Sequence, residues 1–223
     1  MTDIPFDCVG FDLDGTLLDT SDELTVSLNH ALASIGRPPL TQAEVRPMVG
    51  LGARHMLAEG LARSGESSEA MADGLLPVLL EHYDAHLGSG SPPFPGLIGT
   101  MDRLATMNVK LAVVTNKFER LAVKLLEAKG MASRFGAIIG GDTMGKGFAK
   151  PHRAPIDEMI RRCGATRAAF IGDSIYDVGA AKAAGVPVVA VSFGFLTGPV
   201  EALGADAVID HYDVLIATLE QLG

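Results

Sequence analysis

The chain has 223 residues, 48% of them hydrophobic and 20% charged, with a formal net charge of −9 and two cysteines, a size that suits one large domain or a domain carrying an insertion. A negative balance without clustered Lys and Arg excludes nonspecific nucleic-acid binding. No apolar run approaches the roughly 18 residues of a membrane span, and Cys8 and Cys163 lack C-x-x-C or Cys/His ligand spacing, which leaves them as plain thiols.

At the N-terminus, Met1 to Asp7 has neither the basic nor the apolar region of a signal peptide, and a cytoplasmic protein is expected. The first strand is predicted at Val9 to Phe11, after Phe6 and Cys8. It stops at the turn-like Asp12-Leu13-Asp14-Gly15-Thr16. Residues 20–90 then carry helical spacing. Leu24, Leu28, Leu32 and Ile35 share a face and Gly36 ends the run, while Thr41-Gln42-Ala43-Glu44 has the form of a capping box. Ala53 to Arg63 and Pro77 to Leu87 predict further helices, with Pro77 at a first turn or a kink. Gly88-Ser89-Gly90-Ser91-Pro92-Pro93 reads as a linker or hinge.

Beyond it the pattern alternates. Helices are predicted at Leu97 to Met107, Lys117 to Lys129, Ala154 to Cys163, Ile175 to Ala184 and Tyr212 to Leu222. Strands are predicted at Val109 to Val114, Ala137 to Ile139, Ala168 to Ile171, Val186 to Val191 and Ala207 to Ile209. Such alternation predicts an α/β fold, a parallel sheet with helices on both faces. Residues 1–17 and 93–223 form its core, and 18–92 an inserted helical cap. Ligands are expected outside the carboxyl ends of the strands.

Polar groups follow four of those strands: Asp12 with Asp14, then Thr115 with Asn116, then Lys150, then Asp173 with Asp177. Each has a plain alternative. The first pair could be an acidic turn, Thr115-Asn116 a helix cap, Lys150 a solvated loop lysine, and Asp173 and Asp177 caps of a helix. A calcium loop starting at Asp12 fails, because Thr16 and Leu17 occupy its fifth and sixth positions. Gly140 to Gly147 nearly matches a P-loop but lacks the metal-binding hydroxyl, and Val49-Gly50-Leu51-Gly52 is half of a dinucleotide fingerprint with His55 at the third glycine. The six histidines are read as surface or packing residues.

Taken together, Asp12-Leu13-Asp14-Gly15-Thr16, Val114-Thr115-Asn116, Lys150-Pro151 and Gly172-Asp173-Ser174-Ile175-Tyr176-Asp177 resemble the haloacid dehalogenase-like phosphatases. The resemblance runs over nearly the whole chain. Phe94-Pro95-Gly96, Phe193-Gly194-Phe195 and Gly204 to Asp210 are most similar to the phosphoglycolate phosphatase branch. It implies a Rossmann-like core and a magnesium-dependent phosphomonoesterase acting on a small phosphorylated metabolite, phosphoglycolate first. It casts Asp12 as nucleophile, through an aspartyl-phosphate, and Asp14 as general acid and then base. Magnesium would be held by Asp12, the Asp14 carbonyl and Asp173, supported by Asp177. Thr115 and Asn116 would hold phosphate oxygens, and Lys150 would balance the charge. Arg54 is the candidate cap residue for a substrate carboxylate.

A phosphomutase of the same superfamily, or a pyrophosphatase, stays open as an alternative, although mutases resembling this core carry a His where this chain has Ser21-Asp22-Glu23. Asp14 argues against a dehalogenase, and the full set of acid, base and metal groups against a noncatalytic binding module. No nucleic-acid or membrane partner is expected. The chain is expected to be a monomer or homodimer.

Overall fold

The computed structural model describes residues 4–223. Strand β1 (Cys8–Phe11) is buried at every position, as a strand covered on both faces must be. The chain then leaves the sheet for four helices: α1 (Ser21–Ala33), α2 (Gln42–Val45), α3 (Ala53–Ser64) and α4 (Glu69–His86). It returns through α5 (Leu97–Thr106), β2 (Lys110–Val114), α6 (Glu119–Ala128), β3 (Ala137–Ile139), α7 (Ala154–Cys163), β4 (Ala168–Gly172), α8 (Ile175–Ala184), β5 (Val188–Val191), β6 (Ala207–Ile209) and α9 (Leu215–Gln221). The six strands are all parallel, in the order β3-β2-β1-β4-β5-β6.

Alternation along the strands divides the core. Val9, Phe11, Val113 and Ile171 pack on one side with Leu97, Met101 and Leu104 of α5, Leu125 of α6 and Leu215 of α9. Cys8, Ala112, Val114 and Phe170 pack on the other with Ile156 and Met159 of α7 and Val178 of α8. Cys8 and Cys163 are buried free thiols. A third apolar cluster belongs to the inserted helices, where Leu24, Leu28, Leu57, Leu61, Leu79 and Tyr83 meet. Among the described residues outside the inserted segment, Leu121 of α6 alone joins it, from below.

Several boundaries differ from the sequence reading, β5 for instance beginning at Val188 and not at Val186. Helix α4 begins at Glu69, well before Pro77, because the Ser68 side chain accepts from the Met71 N–H at 3.2 Å and starts the helix there. Pro77 therefore lies in the helix interior. Helix α6 begins only at Glu119, which leaves Lys117 in the loop after β2. The last predicted helix opens as a 3-10 turn, Tyr212–Val214. His82 and His86, four apart on α4, stack in series with His30 at ring separations of 4.2 Å; this H-x-x-x-H spacing is absent from the sequence reading of the histidines as surface or packing residues. No helix among the described residues is long and apolar enough to cross a membrane.

The two connections to the inserted helices run side by side. Asp19 N donates to Pro92 O at 2.9 Å, and Phe94 N to Leu17 O at 3.1 Å. Glu23, buried in α1, accepts the backbone N–H groups of Gly88 at 3.1 Å and Gly90 at 2.5 Å.

Candidate active site

Because β1 lies between β2 and β4, the chain turns one way after β1 and the other way after β3, and the crevice opens at the carboxyl end of β1. Phe11 is in register with Val113 and Ile171. The residues that follow these positions, Asp12, Thr115 and Asp173, therefore emerge nearly level. Asp12 N donates to Ile171 O and Thr115 N to Ile139 O, both at 2.9 Å, which ties the first turn of each loop to the neighbouring strand.

Lys150 is the hub. Its buried Nζ lies 2.7 Å from Asp12 Oδ1 and 2.6 Å from Asp177 Oδ1, and donates to Val114 O at 2.8 Å. Asp177 Oδ2 accepts from Asp173 N, Ser174 N and Ser174 Oγ in the capping box of α8, so both of its oxygens are engaged. Asp173 Oδ2 accepts from Phe195 N at 2.6 Å. Gly15, at φ 82°, leaves room for that carboxylate, since a Cβ there would run into Asp173 and lie 2.9 Å from the Phe195 ring.

Carboxylate oxygens of Asp12, Asp173 and Asp177 lie within 4.8 Å of one another, all buried. Burial pushes the Asp12 carboxyl up to about 7 in spite of Lys150, and burial with the nearby charges of Asp177 and Asp12 holds Asp173 well above the ordinary range. Burial opposes charge on Lys150, but Asp12 and Asp177 outweigh it and keep the ammonium charged. Asp12 Oδ1, buried and facing Lys150 only as an ion pair, has no hydrogen bond. An all-oxygen set with one orphaned buried oxygen suits a hard divalent cation such as magnesium.

Above this cluster a cleft separates the strand ends from the inserted helices. Asp14 faces it, with Thr20 Oγ1 donating to Oδ1 at 2.7 Å and Lys117 Nζ 2.9 Å from Oδ2. Thr115 also lines it, its Oγ1 accepting from Lys117 N at 3.1 Å, so the hydroxyl hydrogen remains to be donated.

With this geometry in place, comparison with known proteins decides the lineage. The family model of haloacid dehalogenase-like hydrolases matches residues 9–191, from β1 to the end of β5. The chain belongs to this family. It is 42% identical over 212 residues to the phosphoglycolate phosphatase of Agrobacterium fabrum (strain C58), covering 94% of this chain and 90% of that one. It is also 42% identical over 207 residues to the Caulobacter vibrioides protein of the same name, covering 92% and 86%. The crystal structure of a predicted phosphoglycolate phosphatase from Haemophilus somnus 129PT matches with a TM-score of 0.87 at 27% identity, over 96% of this chain and 97% of that one.

In this haloacid dehalogenase-like hydrolase, six of the sequence-derived residues, Asp12, Asp14, Thr115, Lys150, Asp173 and Asp177, converge at one sheet edge and all are buried. Two of the sequence expectations need correction. The Asn116 carboxamide donates to Gly50 O at 2.8 Å and to Lys150 O at 3.1 Å, and accepts from Lys150 N at 2.9 Å. Both N–H donors of the side chain are taken, so it joins cap to core, and a phosphate contact at Asn116 is left to its main-chain N–H. Arg54 turns away from the cleft toward α4, where it pairs with Glu69 and with Asp73 at 2.7 Å. Both acids stand on the neighbouring helix α4 and are exposed. Sequence reasoning missed Lys117, Thr20 and Tyr83. Lys117 directly follows Thr115-Asn116, and placing it inside a helix concealed its reach to Asp14.

Proposed function

We propose that this protein is a magnesium-dependent phosphomonoester hydrolase that acts on small organic phosphates, phosphoglycolate first, through an aspartyl-phosphate on Asp12. The observation that carries this reading is the buried Asp12–Lys150–Asp177 ion-pair network beneath a cleft, with Asp14 beside it. The relatives named phosphoglycolate phosphatase support the choice of substrate.

Asp12, the main-chain carbonyl of Asp14 and Asp173 would hold the magnesium ion, with Asp177 fixing Lys150 and the α8 terminus behind them. The ion supplies positive charge that lets a phosphate dianion approach carboxylates. An Asp12 oxygen attacks phosphorus as the bond to the leaving oxygen breaks, and Asp14 delivers a proton to that oxygen. Asp14 then takes a proton from water, which attacks the aspartyl-phosphate, releases inorganic phosphate and restores Asp12. Lys150 and the Thr115 hydroxyl hold the charge that moves onto the phosphoryl oxygens. The bonds from Thr20 and Lys117 aim Asp14 across the cleft for both proton transfers.

The test is phosphate release from a panel of small phosphates with magnesium and with chelator. Turnover of phosphoglycolate that needs magnesium is expected; release from none of the panel would end this reading. Conversion between two sugar phosphates without net release would point to a phosphomutase, which no contact in the cleft favours.

A further inference from the structure

Lys117 and Tyr83 belong neither to the phosphoryl cluster nor to the apolar packing alone. One stands in the loop after β2 and the other near the end of α4, so they meet only where the inserted helices cover the strand ends. Among the residues lining the cleft Lys117 is the sole cation, and its side chain is only 7% exposed. Its Nζ lies 2.9 Å from Asp14 Oδ2 and 4.6 Å from the centre of the Tyr83 ring. Tyr83 is buried as well, lines the same cleft, and its hydroxyl has no hydrogen-bond partner among the described residues. A buried hydroxyl without a protein partner retains a donor that a ligand or a water can take up.

The rest of the wall is mostly aliphatic, with Leu24, Val49, Met56, Leu79, Leu80 and Leu121. The other charged groups facing the cleft, Asp12 and Asp14, repel anions. A second negative group on a substrate could be desolvated there only against a cation. Arg54 is committed elsewhere. We propose that Lys117 and Tyr83 form a receptor for a carboxylate on the leaving alcohol, the ammonium matching its charge and the phenol donating to one oxygen. This rests on the hydrolase reading and narrows its substrate class. Because Lys117 touches the carboxylate that would serve the leaving oxygen, the acid group must lie within a carbon or two of that oxygen. The class is the phosphate esters of short hydroxy acids.

The experiment compares kcat/KM for phosphoglycolate and for ethyl phosphate, which lacks the carboxylate, in the magnesium-loaded wild type and in Lys117→Met, Lys117→Arg, Tyr83→Phe and Arg54→Ala. The ratio of the two is expected to fall roughly 10- to 100-fold in Lys117→Met and about 2- to 10-fold in Tyr83→Phe, largely through KM for phosphoglycolate. Lys117→Arg, which keeps the charge, should retain more of the ratio than Lys117→Met, and Arg54→Ala should leave it unchanged. Equal losses on both substrates would overturn the receptor and leave Lys117 as a positioning residue for Asp14. So would a wild type that does not prefer phosphoglycolate. If Lys117→Met does not fold, Lys117→Arg and Tyr83→Phe decide, and an unchanged ratio in both overturns it. A wild type inactive on every phosphate sinks the hydrolase reading itself, and the receptor with it.

Discussion

Asp12 is asked to be two things, a buried carboxylate and a nucleophile. Burial lifts its carboxyl to about 7, whereas the unfolded chain titrates near 3.8. Between those values the folded, metal-free protein holds a proton that the unfolded chain has lost, so this group's contribution to stability falls as pH rises through the window. Asp12→Asn removes that dependence. In chelator, the melting temperature of Asp12→Asn should gain on the wild type from pH 5 to pH 7.5, and a constant gap would remove the electrostatic account. The same variant should lose turnover roughly a thousandfold or more, because an amide does not attack phosphorus; near-normal initial rates of phosphate release would remove the nucleophile assignment. Residues of this kind were legible in the sequence because short motifs at strand ends fix their surroundings locally. Lys117 and Tyr83 were not, because what gives them meaning is a contact between segments distant in sequence.

At the level of elements, the legible features were those with a local cause. The apolar runs of the strands and the capping box at Thr41 are stated within a few residues, and each is found where expected. The sequence reading opens α4 at Pro77, whereas the Ser68 side chain caps the helix well before it. The fate of Arg54 depended on which acids α4 would bring beside α3, and periodicity alone does not give that register. Two element-level predictions follow from close contacts. Glu23→Ala removes a buried carboxylate that holds two loop N–H groups, and should cost about 1.5–3 kcal/mol in urea unfolding; a change within about 0.5 kcal/mol would make the loop independent of α1. Gly15→Ala places a Cβ against Asp173 at a left-handed φ, costing about 1–3 kcal/mol. It should also raise the magnesium concentration needed for half-maximal activity, and an unchanged titration would free Asp173 from the metal role.

For the molecule as a whole, three buried carboxylates share one lysine, so charge is left over when no cation is present. Magnesium that binds only the folded state should raise the melting temperature at pH 7.5, by about 2.7 kcal/mol of stability at one hundred times its dissociation constant. Toward pH 5 protons compete for the same oxygens and the gain should shrink. A melting temperature indifferent to magnesium at pH 7.5 would place the ion elsewhere.

The pairing of Leu17 with Phe94 and of Asp19 with Pro92 means that the polypeptide departs for the helical layer and comes home at the same spot. Seen from the sheet, everything between is topologically one long loop with touching ends, the arrangement that permits excision and exchange of a module. The strands owe the inserted helices little packing, since among the described residues Leu121 is the single one outside them that joins their apolar cluster. A protein in which a short Gly-Ser turn replaces residues 20–91 should keep slow-exchanging amides in β1, β2 and β4. Loss of that protection would mean the sheet depends on its roof. If it survives, sheet and roof are separable folding units, and the Lys117–Tyr83 pair, with one residue in each, exists only where the two are joined.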